Sequence, residues 1–311
     1  MTEGSKALAA LISCVFFWGV SFVSTKIAGA VFPPMSLGAL RFALALVFLA
    51  LVKNVSAPRE KLALRDLPLL LGAGFTGVTL YFFFENTGIG LISASEASIV
   101  VAAIPALTLG AEWLGGKFSG PGKGPEGAKA IPARRWLGAL ISMIGVALTA
   151  QGGEAPSPGA EAAIGDTAAP GGNILGYLCM AGAALSWVAY CFLSRPLFRR
   201  CSRIYIVYWQ SVFGFLAFVP FAVFEFPRWG RPDPWLILHL VFLGLCCSAL
   251  AYWFYIHSLA VLGISVSALF LNFIPVITVI AGFFILGERL HPLQWAGAAL
   301  VLAGMYFAMK E

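Results

Sequence analysis

Residues 95–108, SEASIVVAAIPALT, return 170 positions later as residues 265–278, SVSALFLNFIPVIT. Ser95, Ile104, Pro105 and Thr108 fall on Ser265, Ile274, Pro275 and Thr278. The same gapless shift places Leu70, Gly74, Leu80 and Phe84 on Leu240, Gly244, Leu250 and Phe254. Flanking segments follow at nearby offsets. A shift of 169 sets Trp18 on Trp187 and Lys26 on Arg195, and a shift of 159 sets Trp136, Gly138 and Gly145 on Trp295, Gly297 and Gly304. A Gly/Lys/Pro-rich insertion near Gly120 to Ala133 accounts for the shorter offset. The chain reads as a duplication.

What is duplicated is a set of membrane spans. The 311 residues are 60% hydrophobic and 11% charged, with mean hydropathy +0.89, whereas soluble domains run near half apolar and a quarter charged. At roughly 20 apolar residues per crossing, the pattern predicts an all-α integral membrane protein. Ten transmembrane helices are expected at 7–28, 35–53, 67–86, 95–114, 136–151, 173–194, 204–224, 235–256, 264–286 and 294–309. The run Ala7 to Ala28 has no cleavage site in a polar flank and is expected to be retained as a helix. Residues 1–151 form a first repeat and 173–311 a second. The Gly/Ala/Pro-rich stretch 152–172, with three acids and no base, is expected to be an extracytoplasmic linker between them.

Five spans per copy is an odd number, so the second copy enters the membrane upside down and the repeats are inverted. Basic residues fix the orientation. With the N-terminus inside, fifteen Lys and Arg fall in cytoplasmic segments and three outside, as short cytoplasmic loops require. Both termini and the Lys53 to Asp66 loop are therefore expected to be cytoplasmic, in a bacterial inner membrane. A net charge of +6 spread over such loops excludes a nucleic-acid face. The six cysteines lie almost wholly in apolar helices without paired metal-ligand spacing, so neither a disulfide framework nor a metal or other cofactor is expected.

Phe17-Trp18-Gly19 with Lys26, then Leu40-Arg41-Phe42, then Ser267 to Leu290 with Asn272, Pro275 and Leu286-Gly287-Glu288-Arg289, resemble the EamA-type drug/metabolite transporter superfamily. The resemblance covers nearly the whole chain. It implies a secondary carrier, frequently an exporter of amino acids or related metabolites, with a central cavity lined by both halves. One departure stands out: the first repeat ends its fourth span on Gly116-Lys117-Phe118, without the Gly-Glu-Arg of the second.

Inverted repeats place their substrate near the bilayer midplane, and polar or aromatic side chains at mid-span are the candidates to line it. These are Trp18, Tyr81, Trp187, Tyr190, Tyr252, Trp253 and Asn272. The two tryptophans lie too deep for an interfacial belt, and a mid-span amide needs a replacement for its lost water. An ionised side chain at a helix centre costs about 2.5–3.5 kcal/mol, so each charge needs a reason. Glu85 and Glu96 flank the turn between spans three and four and read as solvated near the outer surface, or else as proton carriers. Glu112 either pairs with a loop base or faces the cavity. Lys26 and Arg41 either snorkel to the interface or meet a substrate carboxylate. Pro105 and Pro275 remove helical hydrogen bonds and mark kinks or hinges.

Partners expected on this reading are a small-molecule substrate, membrane lipid and protons as a coupling ion; oligomeric state stays open. No phosphate-cradling loop is present, since Gly120-Pro121-Gly122-Lys123 has the wrong spacing. The alternatives are a membrane-embedded enzyme, for which no metal or nucleophile motif is found, and a non-transporting scaffold.

Overall fold

A computed structural model describes residues 2–57, 60, 62–118, 133–151 and 174–309. The linker expected at 152–172 and most of the insertion near 120–133 lie outside the described residues. All regular structure among the described residues is helical.

Eight stretches are long and apolar enough to cross a membrane: α1 (Glu3–Gly29), α2 (Pro34–Ser56), α3 (Leu67–Leu91), α4 (Ala94–Leu114), α6 (Ile174–Arg199), α7 (Arg203–Arg228), α8 (Pro234–Leu262) and α9 (Val266–Leu286). Two further helices, α5 (Ala133–Gln151) and α10 (Pro292–Met309), have shorter apolar stretches. Their starts and stops follow local chemistry. Asp233 accepts from the Leu236 amide ahead of Pro234, and Ser93 with Glu96 forms a full capping box at α4. Gly287, at φ +69°, ends α9 in the left-handed conformation that glycine adopts without cost. Large apolar side chains such as Phe224 (82% exposed) and Phe284 (79%) face outward, which fits lipid surroundings and not water.

The two halves repeat their irregularities. α3 carries a π-helical segment at Phe75–Leu80 and α8 one at Leu243–Leu250, so the 170-residue shift superposes them. α4 breaks at Ala102-Ala103, and α9 carries a 3-10 turn at Leu271–Phe273. Pro105 and Pro275 each stand second in the α-helix that follows. Both prolines therefore sit at the irregular point of their spans, where the missing N–H interrupts the hydrogen-bond ladder.

Packing is repeated as well. α2 lies along α7, α3 along α6, α1 along α8 and α9, and α5 along α10. In the last pair Gly145 meets the backbone of Gly297, and Gly304 that of Gly138; the 159-residue shift, which sets Gly138 on Gly297 and Gly145 on Gly304, turns one contact into the other. A methyl at any of Gly145, Gly297 or Gly304 would overlap the facing helix, the small-residue approach on which helix association in lipid depends.

Candidate functional site

The centre of the molecule is built where α1, α2, α3, α4, α6, α8 and α9 converge. Trp18 of α1 and Trp187 of α6, partners under the 169 shift, meet edge to face with ring centroids 5.1 Å apart. Tyr81, Tyr252 and Tyr255 close around them, at 4.9 Å (Tyr81 to Trp187), 5.7 Å (Tyr252 to Trp18) and 5.1 Å (Tyr255 to Trp18). Such contacts add about 0.5–1.5 kcal/mol each beyond burial.

The π-helical segments hold this box in place. A π turn displaces the regular hydrogen-bond ladder, and two carbonyls at equivalent positions accept from the rings. The Trp18 indole donates to the Cys247 carbonyl at 2.9 Å, and the Tyr252 hydroxyl to the Gly77 carbonyl at 2.6 Å. Gly77 itself lies against the Tyr190 ring, where an added methyl would overlap it.

Beside the aromatic box lies a charge pair. Arg41 and Glu85 are 1% and 4% exposed, with Nη1 and Oε2 3.9 Å apart. The Arg41 Nε donates to Ser248 at 2.8 Å, and the guanidinium sits 4.1 Å from the centre of the Phe82 ring. The Tyr81 hydroxyl donates to the other Glu85 oxygen at 2.8 Å. Arg41 Nη1 has no hydrogen-bond partner. A narrow cavity runs past this pair. Its wall includes Trp18, Ser21, Arg41, Tyr81, Glu85, Trp187 and Tyr252. One wall thus offers an apolar aromatic face and a loose cation–anion pair with an unused donor.

Six of the residues singled out from sequence meet at this wall: Trp18, Tyr81, Trp187, Tyr252 and, among the charges, Arg41 and Glu85. Other candidates stand elsewhere. Tyr190 packs behind Trp187 and Tyr252, at 4.9 and 5.9 Å. Trp253 points away, half-buried and stacked on Phe254. It follows Tyr252 by one residue, and helical spacing turns it some 100° off the cavity. Asn272 is buried with Oδ1 unpartnered, but Leu271 and Ile274 face the cavity in its stead.

The charges were the least legible. Glu85 and Glu96, read as solvated or else as proton carriers, are both buried, because partners distant in sequence surround them. Glu96 accepts from Ser93, from the Tyr177 hydroxyl at 2.6 Å and from the Gln294 amide at 2.7 Å. Arg41 does not snorkel; it is fully enclosed. Lys26 stays at a helix end, donating to the carbonyls of Ile89 and Ile92, both at 2.8 Å, where it satisfies the last turn of α3. Glu112 is half-buried late in α4 and is not on the cavity wall. Sequence reading missed Ser21, Phe82 and Ser248 at the site, and the Glu288 carboxylate, which accepts from Ala94 N and from Ser95 N and Oγ at the start of α4. The repeat offset carried the one usable signal, since it aligns Cys247 with Gly77.

The sequence profile of the EamA-like transporter family matches residues 5–119 and 174–310. The chain belongs to the EamA-like transporter family. Full-length relatives agree with the EamA assignment. A protein of Archaeoglobus fulgidus named an uncharacterized transporter is 26% identical over 96% of each chain. The uncharacterized transporter YetK of Bacillus subtilis is 25% identical, over 96% of this chain and 86% of its own. A protein of Streptantibioticus cattleyicolor named a probable terminal-alkyne amino-acid exporter is 24% identical, over 97% and 92%. A crystal structure 21% identical in sequence superposes over 98% of this chain and 96% of its own with a TM-score of 0.65, and so shares its fold. This EamA protein is a multi-pass membrane protein of a transporter family.

Proposed function

We propose that the protein is a secondary exporter of a small zwitterionic metabolite such as an amino acid, working by alternating access through the cavity between two inverted five-helix repeats. The observation that carries this reading is the Arg41–Glu85 pair on an aromatic wall. A buried guanidinium with a free Nη1 donor suits a substrate carboxylate. Breaking the pair for that carboxylate leaves Glu85 uncompensated in a dry site, which is costly, unless the ammonium of the same substrate takes its place. A zwitterion exchanges one ion pair for two. Trp18, Trp187, Tyr81 and Tyr252 supply the apolar and cation–π face for the rest of it. The rings touch one another, so the substrate enters by parting them.

Several points support the wider reading. The repeated π segments, helix breaks and glycine contacts support two copies related by a twofold axis, as does the joining of α2 and α7 head to tail by Glu225 and Glu60. We assign ten spans, with both termini cytoplasmic on the strength of the Lys and Arg distribution. Glu96 is engaged with α4, Tyr177 and Gln294, so Glu85 is the carboxylate we assign to coupling; a proton on it replaces the substrate ammonium for solutes that lack one.

The test is a thermal-shift and competition screen of the purified protein against amino acids, amines, carboxylates and nucleobases. Amino acids are expected to raise the melting temperature, and the matched amine or carboxylate alone to do so weakly. Stabilisation by amines or nucleobases in preference to zwitterions would replace the assigned substrate class. The Streptantibioticus relative, by its name a probable terminal-alkyne amino-acid exporter, points the same way.

A further inference from the structure

Arg41 has a counterpart. It stands seven residues after Pro34, the start of α2, and Gln210 stands seven residues after Arg203, the start of α7. The 169-residue offset that pairs the two tryptophans pairs these residues too. Packing agrees in detail. Gly244 of α8 lies against the Arg41 carbonyl and the Leu44 side chain, while Gly74 of α3 lies against the Gln210 carbonyl and the Phe213 side chain. α2 and α7 run antiparallel: Glu225 accepts from Ser36 N and Oγ at the start of α2, and Glu60 from Ser202 N and Oγ at the start of α7. Seven helical residues rise about 10 Å. Arg41 therefore lies some 10 Å inside one mouth of the protein and Gln210 a like depth inside the other.

The two places differ in what they do in this structure. Arg41 is on the cavity wall. Gln210 is 1% exposed and packed away, donating Nε2 to Ser194 Oγ at 2.9 Å, with Oε1 left unpartnered; the Oγ of its fully buried neighbour Ser211 is unpartnered too. Turning the amide over leaves one of its polar atoms without a partner just the same. In a spanning helix no bulk water repairs that loss, and an apolar side chain would pack there without it. Between the two places run Tyr252, which holds the Gly77 carbonyl, and Tyr190, whose ring lies on Gly77 and 5.9 Å from Tyr252.

We infer that Gln210 and Ser211 form a second polar station on the substrate path, which takes the hydrogen-bonding head of the substrate when the cavity opens toward the start of α7. The inference rests on the transport reading above and adds a site to it. An uncharged amide both donates and accepts, so it serves either end of a zwitterion and holds it less tightly than Arg41. The path is thus asymmetric: a charged grip near the start of α2 and a neutral one near the start of α7.

Single cysteines test this on a cysteine-free background, in vesicles of both orientations, with a fixed-charge methanethiosulfonate as the probe. Ser21→Cys, nearly isosteric, reports the cavity; Ser211→Cys, also nearly isosteric, and Gln210→Cys report the second station. The expected result is modification of Ser21→Cys together with modification of both station cysteines, at least tenfold faster from the face where α7 begins. Station cysteines inert from both faces, or faster from the opposite face, while Ser21→Cys reacts, would overturn the second station and leave the transport reading standing. Inertness of all three would overturn both.

Discussion

The α5–α10 pair at the edge of the molecule and the box at its centre are both made by repeat-related residues, yet they are held by opposite means. At the edge, Gly138, Gly145, Gly297 and Gly304 let two backbones touch. At the centre, Trp18 and Trp187 meet across the repeat while a lone ion pair, Arg41–Glu85, breaks the symmetry. Under the offsets that relate the halves, Arg41 faces Gln210 and Glu85 faces Tyr255. Lipid offers no hydrophobic drive between helices, so close approach of small residues suffices where only cohesion is needed. Buried charge is far costlier, and on the proposed reading the Arg41–Glu85 pair is retained to meet a polar solute.

This contrast is broken most sharply at Glu85. Glu85→Gln leaves Arg41 buried without its counter-charge, and the loss of one partner of a buried pair costs about 3–5 kcal/mol. Thermal unfolding should show a large drop, and substrate binding should vanish. The double variant Arg41→Met with Glu85→Gln should recover much of the stability and none of the binding. Recovery of both would reduce the pair to a structural role.

Gly297→Val is the edge counterpart. Its side chain would run into Thr149 and the Gly145 carbonyl, and overpacking of this kind costs about 1–3 kcal/mol. The melting temperature should fall while substrate affinity in the folded fraction stays unchanged. A changed affinity would show that edge and centre are not separate.

Tyr252→Phe is expected to act less on stability, by about 0.5–1.5 kcal/mol for one hydrogen bond lost from the Gly77 carbonyl. It sharpens the comparison because it removes one π-segment anchor and leaves Trp18 on Cys247 in place. Binding measured by titration should weaken, with the fold intact by circular dichroism.

The smallest structural effect concerns Cys201, in the short connection between α6 and α7. Burial, with Asp66 and Glu60 nearby, pushes its thiol up to about 11. The thiolate is the reactive species, so near neutral pH native Cys201 should react about a hundredfold more slowly than a thiol of ordinary pKa. Its rate should rise about tenfold per pH unit toward 11. A rate that levels off near pH 9 would show the thiol to be unperturbed.

Much of the framework could be read from periodicity and repeat alone, because spans and their breaks are local properties. The α5 and α10 glycines and the Trp18–Trp187 pair were visible through the offset. The charges were not. Glu85 looks solvated when its neighbours in sequence are considered, since its partner Arg41 is 44 positions away and Tyr81 is the only near one. Glu96 depends on Tyr177 and Gln294, which no local pattern connects to it. Trp253 was drawn in by its composition, though the turn of the helix takes it away from Tyr252. The π segments leave no mark in composition, yet they decide which carbonyls meet the rings.

The central claim is that a zwitterionic solute passes between the halves unchanged. Counterflow of radiolabelled amino acids in proteoliposomes, with the lumenal contents then separated by chromatography, tests it most directly. The account predicts saturable accumulation of intact label by the native protein and none by Glu85→Gln. Chemical conversion of the label, or equal accumulation by the variant, would contradict it.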